Sequence, residues 1–261
     1  MDRSITPSNT ELWLQTIAPG KLAKSYWPGT SRTSVASCPL GHYKLMELRP
    51  KHFHNFYTEL QKIISVLEEK SLKCETYFKL IIATGMRRGE CCGLQWGDID
   101  WEERSIHIQR NVVKVTGEDI IVKERKTVAG DRYVYFSLEM ESLLREFQRE
   151  CAWEAETYDG RRLEDADYVF RRHGHRLPMT PSTFTWRFKL ILKKHGLPTA
   201  LNVHSLRHTN ASLLIAGGAD VATVAGLLGH SQPSTTLDIY THAFDKNKKS
   251  ASQVLQERLE I

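Results

Sequence analysis

Long apolar runs are missing from this chain. No stretch of its 261 residues approaches the roughly 20 uncharged apolar positions a membrane span needs, and the best candidate, Asn210 to Ala219, is far too short. The amino terminus, MDRSITPSNTELW, has no apolar h-region, so secretion is not expected. Cysteine is scarce and unpatterned. Cys38, Cys74, Cys91, Cys92 and Cys151 make an odd count with no disulfide framework, and Cys91-Cys92 lacks the C-x-x-C spacing of a structural zinc site. A reduced, cytoplasmic compartment is expected. There is no internal repeat and no low-complexity block. Hydrophobic residues at 41% and charged residues at 26% describe a globular chain of one or two domains. The net charge of +5 and a pI near 8.9 admit a nucleic-acid partner without requiring one.

The local pattern is mostly helical. Residues 20–39, rich in Ser, Thr, Gly and Pro, read as loop. After Pro50, Phe53, Phe56, Leu60, Ile63, Ile64 and Leu67 recur at spacings of three and four, the stripe of an amphipathic helix. A second apolar helix is expected from about Thr76 to Met86. Three short runs, Ser105–Gln109, Ile120–Lys123 and Arg132–Phe136, are rich in Ile, Val and Tyr and are separated by turns at Gly117 and Gly130. They predict a small three-stranded antiparallel sheet. The helical period returns at 138–154, 181–195, 204–216, 220–229, 234–241 and 245–259, with Gly217-Gly218 as a stop. The fold class expected is therefore α+β, mostly helical, with one small sheet.

Five stretches concentrate cationic or nucleophilic side chains. They are ATGMRRGE with Arg87 and Glu90, ERKTVAGDR with Lys126, HSLRH with His204, Arg207 and His208, LLGH ending in His230, and DIYTH carrying Tyr240. Each has a plain reading of its own. An Arg near a Glu on a helix is usually a solvated ion pair, and a hairpin Lys is usually just exposed. The His204/His208 pair at i,i+4 has metal-ligand spacing but no third ligand at convincing spacing. The stretch ADVATVAGLLGHSQPSTTLDIY also has the look of a helix-turn-helix.

Taken in order, these motifs resemble the tyrosine recombinase (phage integrase) family, whose pattern runs Arg, Lys, His-x-x-Arg, His or Trp, and Tyr. The likeness covers roughly residues 63–261. It implies the tyrosine-recombinase catalytic fold. It also implies a site-specific recombinase, the integrase of a phage or conjugative element, that cuts and rejoins DNA through a 3′-phosphotyrosyl intermediate. By the resemblance, Tyr240 is the nucleophile, while Arg87 and Arg207 hold the non-bridging oxygens of the scissile phosphate. Guanidiniums suit that planar, bidentate task better than ammonium groups. Arg87 is preferred over Arg88 because the family spacing is T-G-x-R-x-x-E, which pairs it with Glu90 as a brace. Lys126 protonates the leaving 5′-oxygen, with Lys123 as the fallback in another hairpin register. His204 takes the acid/base position, and His230 hydrogen-bonds the phosphate. His208 is read as a packing residue. No metal or other cofactor is implied, because the arginines supply the charge that a metal ion supplies in other phosphoryl transfers.

The implied partners are double-stranded DNA attachment sites, further copies of the chain in a homo-tetramer on DNA, and an accessory directionality factor. The segment 245–261 reads as an amphipathic helix that docks on a neighbouring protomer, or alternatively on its own domain. The expected division is a partial, truncated core-binding (SAM-like) region over 1–61 and the catalytic domain over 62–261, in a bacterial, nucleoid-associated protein. Two rivals stand beside this reading. One is a non-catalytic DNA-binding regulator derived from a recombinase, suggested by the shortened front. The other is a type IB topoisomerase, which shares the chemistry but not the motif wording.

Overall fold

The computed structural model describes residues 50–114, 120–124 and 131–229, with side chains from Thr58 onward except at Ala216. Within these the chain forms seven α-helices and five short strands. Helix α1, Pro50–Glu68, buries Leu60, Ile63 and Leu67 as the three-and-four spacing requires. Helix α2, Leu72–Thr84, is the central element and packs against α1, against α4 (Leu138–Asp159) and against α6 (Val203–Ala216). Because it meets neighbours on several sides, Cys74, Thr76, Tyr77, Phe78, Leu80, Ile81 and Thr84 are all buried. That all-round burial blurs the apolar stripe, and the helix begins four residues before the sequence pattern suggests.

An aromatic cluster forms the middle of the core. Tyr77 stacks on Phe184 of α5 (Pro181–Lys194) with centroids 3.5 Å apart, and meets Phe78 and Phe170 edge-to-face at 5.2 and 5.1 Å. Its hydroxyl donates to the carbonyl of Arg88 at 3.0 Å. The core therefore holds the backbone of the short helix α3, Arg88–Cys92, directly.

The strands divide differently from the expectation. A three-stranded antiparallel sheet is present, but its order is β1 (Ile99–Asp100), β2 (Ser105–Ile108), β5 (Arg132–Tyr135). The run at Ile120 is not in it. As β4 (Ile120–Glu124) it pairs with β3 (Arg110–Lys114) in a separate two-stranded ribbon, from Arg110 opposite Glu124 to Lys114 opposite Ile120. The reason lies at the start of β3. The Arg110 guanidinium bonds both carboxylate oxygens of Asp98 at 2.5 and 2.6 Å and the Gly93 carbonyl at 3.3 Å, which turns the chain out of the first sheet. Gly89 of α3 and Gly93, which caps its carboxyl end, then leave room for the ribbon. A Cβ on Gly89 would sit 2.5 Å from the Val112 carbonyl oxygen, and one on Gly93 would sit 3.2 Å from the Arg110 Cβ.

The later helices follow their caps. Ser137 and Asp220 accept from Met140 N–H and Thr223 N–H at the starts of α4 and α7 (Val221–Leu228), and Asn202 accepts from Ser205 N–H at the start of α6. Helix α6 ends at Ala216 before Gly217-Gly218, as the sequence indicates. The helices expected at 234–241 and 245–259 lie outside the described residues, as does the whole of 1–49.

Candidate functional site: arginines on the carboxyl end of helix α7

The TGMRRGE stretch makes a sharp corner. Helix α2 stops at Thr84, and Gly85 caps it in the left-handed region at φ 67°. Asn210 of α6 closes the same end by donating from Nδ2 to the carbonyls of Ile82 and Ala83 at 3.0 and 2.9 Å. Met86 is buried and anchors the turn, and Arg87 becomes the N-cap residue of α3. Glu90 accepts from the Arg87 main-chain N–H at 2.8 Å through Oε2 and from its guanidinium at 2.8 Å through Oε1. The corner thus presents Arg87, whose side chain is 34% exposed, from a fully buried carboxylate. Arg88, beside it, faces outward and reaches Thr185 at 3.3 Å.

Helix α6 brings the HSLRH group to the same place. His204 and His208 meet edge-to-face with centroids 4.6 Å apart. Arg207 is only 2% exposed and donates to the carbonyl of Gly85 at 2.7 Å and to that of Leu228 at 2.5 Å. Partial burial of the His204 ring, with the positive charges of Arg207, Arg87 and Arg88, lowers its pKa below the ordinary histidine range. Burial, with His204 and Arg207 beside it, pushes His208 down to about 4, so its ring is neutral at neutral pH.

Helix α7 closes the site. Like any helix, it leaves its last carbonyls without intrahelical partners. Here three consecutive ones are each taken by a guanidinium from elsewhere in the fold: Leu227 by Arg132 Nε at 2.5 Å, Leu228 by Arg207 Nη2 at 2.5 Å, and Gly229 by Arg87 Nη2 at 2.8 Å. Cations at a helix carboxyl end also meet the negative end of its dipole. The result is a concentration of positive charge converging on the residue that precedes His230.

Of the six residues singled out from sequence, Arg87, His204 and Arg207 are therefore gathered around one corner. Lys126, His230 and Tyr240 lie outside the described residues, and so does the segment 245–261. The fallback Lys123 is exposed on β4. Arg132 escaped the sequence reading, although a signal was there. It occupies an inward position of the alternating run Arg132-Val134-Phe136, where an arginine is buried only if partners hold it. Burial and the neighbouring Arg87 charge lower its pKa to about 10, which leaves it cationic at neutral pH. Among the described residues, no group of three or more His, Cys, Asp or Glu side chains forms a metal site.

Comparison with known proteins bears on this geometry. Residues 57–247 match the model of the phage integrase family. A tyrosine recombinase XerC-like protein of Caldanaerobacter subterraneus subsp. tengcongensis is 33% identical over 210 residues, which are 76% of this chain and 52% of the relative. The ICEBs1 integrase of Bacillus subtilis is 28% identical over 226 residues, 87% of this chain and 58% of the relative. This chain thus spans little more than half the length of either. The solved structure of the Tn1549 transposon integrase in complex with transposon right end DNA superposes with a TM-score of 0.63 and 25% identity, over 78% of this chain and 65% of that one.

Proposed function

As this chain belongs to the phage integrase family, we propose that it is a site-specific DNA recombinase that cuts and rejoins double-stranded DNA through a 3′-phosphotyrosyl intermediate. The observation that carries the proposal is the convergence of Arg87 and Arg207 on the carboxyl end of α7, with His204 close to both guanidiniums. A phosphodiester approaching pentacoordination gathers negative charge on its non-bridging oxygens. Guanidiniums already fixed by Glu90, Gly85 and Gly229 meet that charge without further reorganisation.

In this reading Tyr240 attacks the phosphorus, a 3′-phosphotyrosine forms, and the 5′-oxygen leaves as a hydroxyl. Lys126 supplies the proton to the leaving oxygen, and His204 takes the proton from the tyrosine. His204 fits that task, because burial and the nearby cations lower its pKa and so favour the proton-accepting form of the ring. His230, next after the carbonyl held by Arg87, hydrogen-bonds the phosphate. The bond energy stays in the phosphotyrosine, so attack by a 5′-hydroxyl of a partner strand reverses the step without ATP. Double-stranded attachment sites are the substrate. A tetramer joined through the C-terminal segment, an accessory directionality factor and a place on the bacterial nucleoid complete the proposal. The division into a core-binding part over 1–61 and a catalytic part over 62–261 belongs to it too. No helix among the described residues is long and apolar enough to cross a membrane.

Covalent trapping tests it. The full chain and its Tyr240→Phe variant are incubated with nicked suicide duplexes, with and without EDTA, and resolved on denaturing gels. An adduct from the wild type alone is the expected result. An adduct that persists in Tyr240→Phe would assign the nucleophile elsewhere, and one that disappears in EDTA would overturn the metal-independent chemistry.

A further inference from the structure

We infer that Arg132 is a positioning residue for strand cleavage, fixing Arg87 and the carboxyl end of α7 together from the start of β5. This rests on the recombinase reading above. Arg132 opens β5, directly after Asp131, and is 8% exposed. A guanidinium so buried is tolerated only where its donors are satisfied and its charge is met. Its Nη2 donates to Glu90 Oε2 at 2.8 Å, its Nη1 lies 3.4 Å from Oε1, and its Nε donates to the Leu227 carbonyl at 2.5 Å.

Two consequences follow from sharing Glu90. First, Arg132 Nη2 and the Arg87 main-chain N–H share Oε2 of the carboxylate, and the Arg87 guanidinium meets it through Nη1 on Oε1. Arg87 Nη2 is then held on the Gly229 carbonyl rather than drawn into a two-pronged clamp on Glu90. Second, two guanidiniums to one carboxylate leave the group net cationic, which suits a phosphate. Arg132 also ties β5 to α7 one residue before the carbonyl that Arg207 holds and two before the one that Arg87 holds. One side chain thus ties β5, which follows Lys126 in sequence, to the helix that precedes His230 in sequence.

A purely structural arginine at this point would lower stability and leave the chemistry of the folded fraction intact. The test separates the two. Single-turnover cleavage of a nicked suicide duplex is measured against DNA concentration for the full-length wild type, Arg132→Met, Glu90→Gln and the double variant. Amide exchange of 221–229 is followed on the same proteins without DNA. Arg132→Met is expected to lower the maximal rate by about 100-fold, the scale of a roughly 1 Å misplacement. The half-saturating DNA concentration should stay within about threefold, since binding is not what is lost. Exchange at 221–229 should rise about tenfold while peptides of α4 are unchanged. In the Glu90→Gln background the same substitution should cost no more than about tenfold, because both act through one carboxylate. Fully additive losses, an unchanged maximal rate, or exchange that rises equally in α4 would each overturn the inference. A wild-type chain that yields no adduct would sink the recombinase reading instead, and exchange at 221–229 would still decide whether Arg132 holds α7.

Discussion

The Arg207 guanidinium donates to the main-chain carbonyl of Gly85 across 122 positions of sequence, at 2.7 Å. With its second bond to Leu228, this one side chain joins the cap of α2 to the end of α7 through α6. Arg207 is therefore part of the fold as well as part of the proposed phosphate site, and its substitution should be read on both scales.

Arg207→Lys keeps the charge but loses the fork, so one ammonium cannot serve both carbonyls at their present separation. Two charge-assisted hydrogen bonds at buried carbonyls make a loss of about 3 kcal/mol in denaturant unfolding the expected result. A loss below about 1 kcal/mol would mean that the carbonyls find other partners. Covalent adduct formation should fall below detection at a temperature where the variant remains folded.

Gly85→Ala tests the corner from the other side. Gly85 sits at φ 67°, and a Cβ there would lie 2.6 Å from Leu228 Cδ2 and 2.7 Å from Asn210 Oδ1. Backbone strain and crowding together should destabilise the chain by about 1–3 kcal/mol. Thermal unfolding of the variant gives the answer, and an unchanged midpoint would contradict the close approach of α2, α6 and α7.

The pH dependence of stability should carry the mark of His208. Its folded pKa, about 4, lies below the ordinary value of 6.5. The unfolded chain therefore takes up a proton at this site before the folded one does. The stability that the neutral ring contributes is complete above pH 6.5 and is lost progressively as pH falls toward 4. His204, also lowered, acts in the same direction. Between about pH 6.5 and 5, ahead of most carboxylates, His208→Asn should remove close to one proton from the slope of unfolding free energy against pH. An unaltered slope would show that the ring is protonated in the folded protein.

Lys126 and Lys123 are separable by substitution. Lys123→Ala, on exposed β4, should leave the cleavage rate within about threefold of wild type, whereas Lys126→Ala should lower it by about 100-fold or more, as for loss of a general acid. A substrate whose leaving oxygen is replaced by sulfur needs no proton and should restore the rate of Lys126→Ala. The reverse ranking would move the general acid to Lys123.

Much of this protein was legible without coordinates, for identifiable reasons. Helix α1 was readable because it buries one side, and α6 and α7 were readable because Asn202, Asp220 and the Gly217-Gly218 pair mark their ends in local chemistry. The grouping of His204, Arg207 and His208 follows from helical spacing alone, whereas the pairing of Arg87 with Glu90 came from the resemblance to the family spacing T-G-x-R-x-x-E, which the structure realises as a capping box. Strand partnership did not follow. Local pattern shows that a run is extended, but not which run lies beside it, and here the Asp98–Arg110 bond and the glycines of α3 decided that β3 would leave the first sheet. Nor did sequence reveal how the arginines are held. Arg87, Arg132 and Arg207 are far apart along the chain, and nothing in their local sequence shows that the end of α7 holds all three. Hydrogen-bonding demand at a helix terminus is local, but the donors that answer it here come from three other elements, and only the tertiary structure brings them within reach.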